Sequence, residues 1–200
     1  QLAKDPDNIW LSRMPLRRMD AEVLRDSLLA VAGRLRLELY GPADPVEARE
    51  DGLVVSTPSG GTWRRSIYVI QRRTQPVTIL GNFDRPQMNP NCVQRSNSNV
   101  APQALHLLNN KMVHDLAVSF AGRVREEAGM DQQAQLQHVF MLALGRSPTT
   151  QEQAISAQYM KELVAQWLKE QPDKKEEAHQ RALENYCHAV MNLAAFIYID

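Results

Sequence analysis

From Asn99 to the end of the chain, apolar residues recur every three or four positions, and the breaks in that rhythm fall at glycines and capping residues. A series of amphipathic stripes joined by short connections buries itself most simply as antiparallel helices, so it constrains the fold more than any other feature. Pro102 suits a first helical turn, with Ala101, Leu105 and Leu108 along one face. Asn109-Asn110 marks a junction, after which Val113, Leu116, Phe120 and Val124 form the next stripe up to Gly129. Asp131 opens a third helix through Leu136, Val139, Phe140 and Ala143, closed by Gly145. Thr149 and Glu152 are spaced as a capping box for a fourth helix through Ile155, Tyr159, Leu163 and Trp167. Asp173-x-x-Glu176 heads a fifth, over roughly 173–194, with Leu183, Tyr186, Cys187 and Val190 inward. The fold class that follows is mainly α, a bundle of about five helices.

The first half has a different grain. Asp20 precedes a helical stripe of Ala21, Leu24, Leu28 and Val31 that Gly33 stops. Residues 34–40 alternate instead, with Leu35, Leu37 and Leu39 opposite Arg34, Arg36 and Glu38, which predicts a short strand or extended arm. Residues 41–62, with Pro42, Pro45 and Pro58 and with Gly52, Gly60 and Gly61, predict a long surface loop. Residues 66–70 (Ser-Ile-Tyr-Val-Ile) are the best strand candidate, and 75–100 return to irregular chain with Pro76, Pro86 and Pro90. Residues 1–98 therefore read as one helix, long loops and one or two short strands, and 99–200 as the bundle. Together they make one compact domain, and the opening on Gln1 suggests a fragment of a larger chain.

Composition excludes some functions. Lysine plus arginine and aspartate plus glutamate each number 23, a balance that argues against a nucleic-acid binder, although Arg64, Arg65, Arg72, Arg73 and Arg85 leave room for a local basic patch. No apolar run approaches the ~18 residues of a membrane span. There is no glycine-rich phosphate loop, Gly-x-Ser-x-Gly elbow or His-Glu-x-x-His motif. Histidines 106, 114, 138, 179 and 188 are scattered, so neither a metal site nor a cofactor follows. Cys92 and Cys187 leave two readings open: separate thiols, or a disulfide whose long loop would add ~3–5 kcal/mol.

The candidate binding residues fall in three groups. Arg64, Arg65 and Arg72 flank the expected strand and suit an acidic partner or polysaccharide, or else surface ion pairs. Arg95, Asn97, Gln103 and Asn109 lie in the densest polar stretch, 92–110, where a helix start could hold an anion or where the amides could serve as caps. His188, four residues before Asn192, is either a ligand-binding or catalytic pair or a core histidine with satisfied nitrogens. Asp26 and Asp84 are acid–base candidates with no partner visible in the spacing.

Several stretches together resemble the planctomycete-type domain-of-unknown-function family 1553. They are Arg17-Arg18-Met19-Asp20-Ala21-Glu22 through Leu29, Arg64-Arg65-Ser66-Ile67-Tyr68, and Asn82-Phe83-Asp84-Arg85-Pro86. Cys92 through Asn110, Leu142-Ala143-Leu144-Gly145-Arg146-Ser147-Pro148-Thr149, and His188 through Tyr198 complete the match. Two stretches depart from the family's pattern: Asn99-Val100-Ala101 stands where the family has Ser-Thr or Thr-Thr before the proline, and in Asn192-Leu193-Ala194-Ala195-Phe196 the alanine at 195 replaces an acidic residue. The resemblance implies the C-terminal part of that domain, within a multidomain, extracytoplasmic protein of a bacterial cell envelope. It carries over no established activity. The expectation is a non-catalytic binding or scaffolding module, with an envelope carbohydrate enzyme or a docking partner for a cytochrome c-like module as alternatives. Its partners would be other domains of the same protein, envelope proteins or polysaccharide.

Overall fold

The computed structural model describes residues 5–86 and 92–199. Strand β1 (Arg17–Arg18) leads into helix α1 (Ala21–Val31), whose buried residues Ala21, Leu24, Arg25, Leu28 and Leu29 keep helical spacing. Gly33 takes φ +67°, a conformation open to glycine at little cost, and turns the chain into β2 (Leu35–Arg36). There follow β3 (Val46–Ala48), β4 (Val54–Ser56), β5 (Trp63–Arg64), a 3-10 turn at Ser66–Tyr68 and helix α2 (Thr78–Asn82).

The second half holds α3 (Ala101–Asn109), α4 (Lys111–Ala128), α5 (Gln132–Leu144), α6 (Thr150–Glu170), α7 (Lys175–Met191), the short α8 (Ala194–Ile197) and β6 (Tyr198–Ile199). The mainly α class holds, and the starts of α4, α5 and α6 fall where the capping chemistry puts them. Asn110 accepts from Met112 N–H at 2.8 Å, Asp131 from Ala134 N–H at 3.2 Å, and Thr149 and Glu152 close a reciprocal capping box. Gly145 ends α5 in the left-handed conformation, φ +66°. α7 packs against α4, α5 and α6, and one buried cluster runs from Leu24 and Leu28 through Phe120 and Val139 to Leu183 and Met191. β1 pairs antiparallel with β6, so Arg18 faces Tyr198 and the segment entering α1 meets the last described residues.

The extended segments are where the structure corrects the sequence. Residues 66–70 are not a strand: Ser66–Tyr68 wind into a 3-10 turn, and Val69 makes only an isolated bridge to Asp44. Asp26 explains the difference, because it accepts from both the N–H and the hydroxyl of Ser66 and pulls the turn onto α1. Residues 41–62 are not simply loop, since β3 and β4 form an antiparallel hairpin with Glu47 opposite Val55. Of the 34–40 alternation only Leu35–Arg36 is a strand, parallel to Trp63–Arg64. The expected irregular stretch 75–100 contains α2; residues 87–91, including Pro90, lie outside the described residues. α7 begins at Lys175, not 173, so Asp173 does not cap it.

Candidate functional site

Helix α1 turns its apolar stripe inward and leaves Glu22, Val23, Asp26, Ser27 and Ala30 along its outer edge. These line a groove of about 650 Å³ whose far wall is Arg65, Ser66, Ile67 and Gln71, with Asp20 and Arg95 also contributing. Asp26 Oδ1 fixes that wall, accepting from Ser66 N–H at 2.8 Å and Ser66 Oγ at 2.7 Å. Beneath it lies Arg25, fully buried, which donates to Ser56 Oγ at 2.7 Å, Ser66 Oγ at 3.1 Å, Arg64 O at 3.2 Å and Asp26 at 3.3 Å. Burial pulls the pKa of Arg25 down, while Asp26 beside it pulls the other way. One guanidinium thereby ties α1 to β4, β5 and the 3-10 turn.

Arg95 forks onto Glu22, with its two terminal nitrogens 2.8 and 3.0 Å from the two carboxylate oxygens, and reaches Asp20 at 3.3 Å. Burial alone would raise the pKa of Glu22, but the hydrogen bonds and charge of Arg95 outweigh it and hold the carboxyl below its ordinary value. The same fork raises the pKa of Arg95. What places Arg95 there is a second network behind the groove. Asp84, at φ +62°, accepts from Ser98 N–H at 2.7 Å, Ser98 Oγ at 2.9 Å and Arg18 at 2.7 Å. Gln103, buried at the start of α3, donates to Ser98 Oγ at 3.0 Å and to Asn82 O at 2.9 Å. Burial pushes the pKa of Asp84 up, but the bonds from Ser98 and the charge of Arg18 prevail and lower it.

Of the residues singled out from sequence, Arg65 and Arg95 meet in this groove, and Gln103 anchors its edge. Arg65 is exposed and touches Asp26 only at 3.6 Å. Arg64 points elsewhere: it is buried, pairs with Asp44 at 2.7 Å, donates to the carbonyls of Tyr40 and Pro42, and stacks over Tyr68. Arg72, Asn97 and Asn109 are exposed, with Asn109 ending α3. His188 lies on α7, where its Nε2 meets Leu107 O at 3.0 Å and its ring sits 4.1 Å from that of His114. Asn192 donates to His188 O at 2.8 Å and caps α7. These two secure helix ends and do not line the groove.

Cys92 is exposed and Cys187 fully buried, both as free thiols, so the pairing that the sequence left open is not formed. Burial pushes the Cys187 thiol well above its ordinary pKa, which leaves it protonated. Among the described residues, no group of three or more His, Cys, Asp or Glu side chains could hold a metal ion, and no helix is long and apolar enough to cross a membrane.

Sequence reasoning missed Arg18, Asp20 and Glu22, and left Asp26 and Asp84 without partners. Arg25 alone carried a legible signal, because it stands within the buried stripe Ala21, Leu24, Leu28, Leu29. A charge on an apolar helix face must be matched from outside the helix.

The groove is lined by both signs of charge, and the pKa values displaced there or behind it (Glu22 and Asp84) move downward for the acids. These carboxylates stay ionised at neutral pH, which suits hydrogen bonding to a ligand better than donating a proton to one. A family model described as protein of unknown function (DUF1553) matches residues 1–160, a span that includes every residue of the groove. No curated protein and no solved structure matches the chain.

Proposed function

Because the chain belongs to the DUF1553 family, we propose that it is a non-catalytic binding or scaffolding module of a bacterial cell-envelope protein, with the α1 groove as its ligand-facing surface. The observation that carries this reading is the closure of the charged pairs. Glu22 is forked by Arg95, and Asp26 is held by Ser66 and Arg25, so the carboxylates that would have to move protons are committed to positioning the groove walls. Among the described residues of the groove, Arg65, exposed and in contact with Asp26 only at 3.6 Å, is the cation best placed to meet a ligand. Val23 and Ile67, 47% and 78% exposed, add an apolar lip beside it.

The partner on this reading is another domain of the same protein or a polysaccharide of the envelope, and the location is extracytoplasmic. Saturable retention of the chain on isolated envelope material, weakened by Arg65→Ala with no soluble product released, is the expected result. Immunodetection of the native protein in the envelope fraction is expected alongside it. Release of new reducing ends from envelope polysaccharide, abolished by Glu22→Gln or Asp26→Asn, would replace the binding module with an enzyme acting on carbohydrate.

A further inference from the structure

The segment between Gly33 and Gly41 is symmetric about Leu37. Outward from that residue stand Glu38 and Arg36, then Leu39 and Leu35, then Tyr40 and Arg34, and finally the two glycines at φ +86° and +67°. On a strand, the leucines share one face and Arg36 and Glu38 the other. Within this chain only Leu35–Arg36 is paired, with β5 on one side. Trp63 N–H donates to Arg34 O, so the even-numbered residues turn their backbone groups toward β5. By alternation, Leu35 turns its groups to the open edge, and an extended continuation of β2 through residues 37–39 would turn those of Leu37 and Leu39 the same way. The N–H groups of residues 37–39 donate no turn or loop hydrogen bond among the described residues. Leu37 and Leu39 are 72% and 62% exposed. An unpaired edge that carries apolar side chains is a template for another strand.

We propose that the chain forms a two-fold dimer in which residues 35–39 pair antiparallel with the same residues of a second copy. In that register Leu37 meets Leu37 of the second copy, Leu35 meets Leu39, and Arg36 lies opposite Glu38 on both sides of the axis. Within one chain Arg36 already pairs with Glu38 at 3.1 Å, while its buried Nε has no acceptor. The dimer sets each of these charges opposite its complement in the other copy. Shifting the pairing by two positions would set Arg36 against Arg36, or Glu38 against Glu38, and like charges directly opposite destabilise a strand pair. Charge and leucine spacing therefore select one register, and a second copy satisfies both at once, which an arbitrary strand would not.

The test is sedimentation of the full chain under reducing conditions, so that exposed Cys92 cannot link copies. A strand pair this short buries less than a standard interface, so a dissociation constant of about micromolar order is expected. The mass should rise from 22.7 kDa toward twice that value across the concentration series. Arg36→Glu and Glu38→Arg each oppose like charges and should be monomeric, whereas an equimolar mixture of the two should form the heterodimer. Leu37→Glu, at an exposed site that folding does not need, should also be monomeric. A native chain that stays monomeric at about 100 µM overturns the dimer. So does a mixture that behaves as the sum of its parts while each variant keeps the native circular dichroism spectrum.

Discussion

Asp84→Asn isolates the charge that holds the groove's edge. Asparagine has nearly the volume of aspartate and tolerates the positive φ of 62° at this position, so backbone strain is not introduced. What is lost is the carboxylate that faces Arg18, whose side chain is 5% exposed, and that accepts two bonds from Ser98. Breaking a buried pair from one side costs ~3–5 kcal/mol, because the remaining charge stays buried. The amide oxygen can still accept one bond and Asp84 is 18% exposed, so the lower end, ~3 kcal/mol, is the expected loss. For a chain of this length that corresponds to a fall of about 6–12 °C in Tm.

Urea unfolding followed by circular dichroism gives the loss directly, provided the slope with denaturant is unchanged. The native pKa of Asp84 lies below its ordinary 3.8, so its contribution is complete above the unfolded value and disappears as pH falls through the folded one. The gap between native and variant chains should accordingly shrink in that acid window. In Arg18→Met/Asp84→Asn the unpaired cation is gone, so the double variant should be less damaged than the sum of the singles by at least ~1 kcal/mol. A loss below ~0.5 kcal/mol for Asp84→Asn, or strict additivity with Arg18→Met, would refute the reasoning.

Three further outcomes follow from separate features. Glu152, bonded by Arg146 and by Thr149 N–H, has its pKa held down to about 2, so Glu152→Gln should cost ~1 kcal/mol at pH 7. That difference should persist down to the ordinary carboxylate value of 4.5 and fade as pH drops toward about 2, as measured by thermal unfolding. Gly145→Ala meets no atom within 4 Å, so its cost should be the backbone term alone, ~1–2 kcal/mol by urea titration. A chromogenic disulfide reagent should modify one thiol, Cys92, in the native chain and two in denaturant without reductant; no reactive thiol in either state would restore the disulfide.

The sequence alone determined the helical bundle and most of its boundaries, the ends of α7 excepted. Asn110, Asp131, Thr149 with Glu152, and Gly145 act on backbone groups within four residues of themselves, so their chemistry is written locally. The same holds for the inward faces of α4 and α7, which helical spacing alone picks out. Tertiary structure decided the remainder, because the deciding contacts join residues far apart in the chain. Ser66 became the start of a 3-10 turn because Asp26, 40 positions earlier, accepts from it. Arg95 reached Glu22 across 73 positions, and Asp84 found Arg18 across 66. Local spacing cannot encode such pairs, since a buried charge states only that it needs a partner and not where the chain will supply it. The groove is made of residues of this second kind, while the rhythm of apolar stripes that built the bundle is of the first.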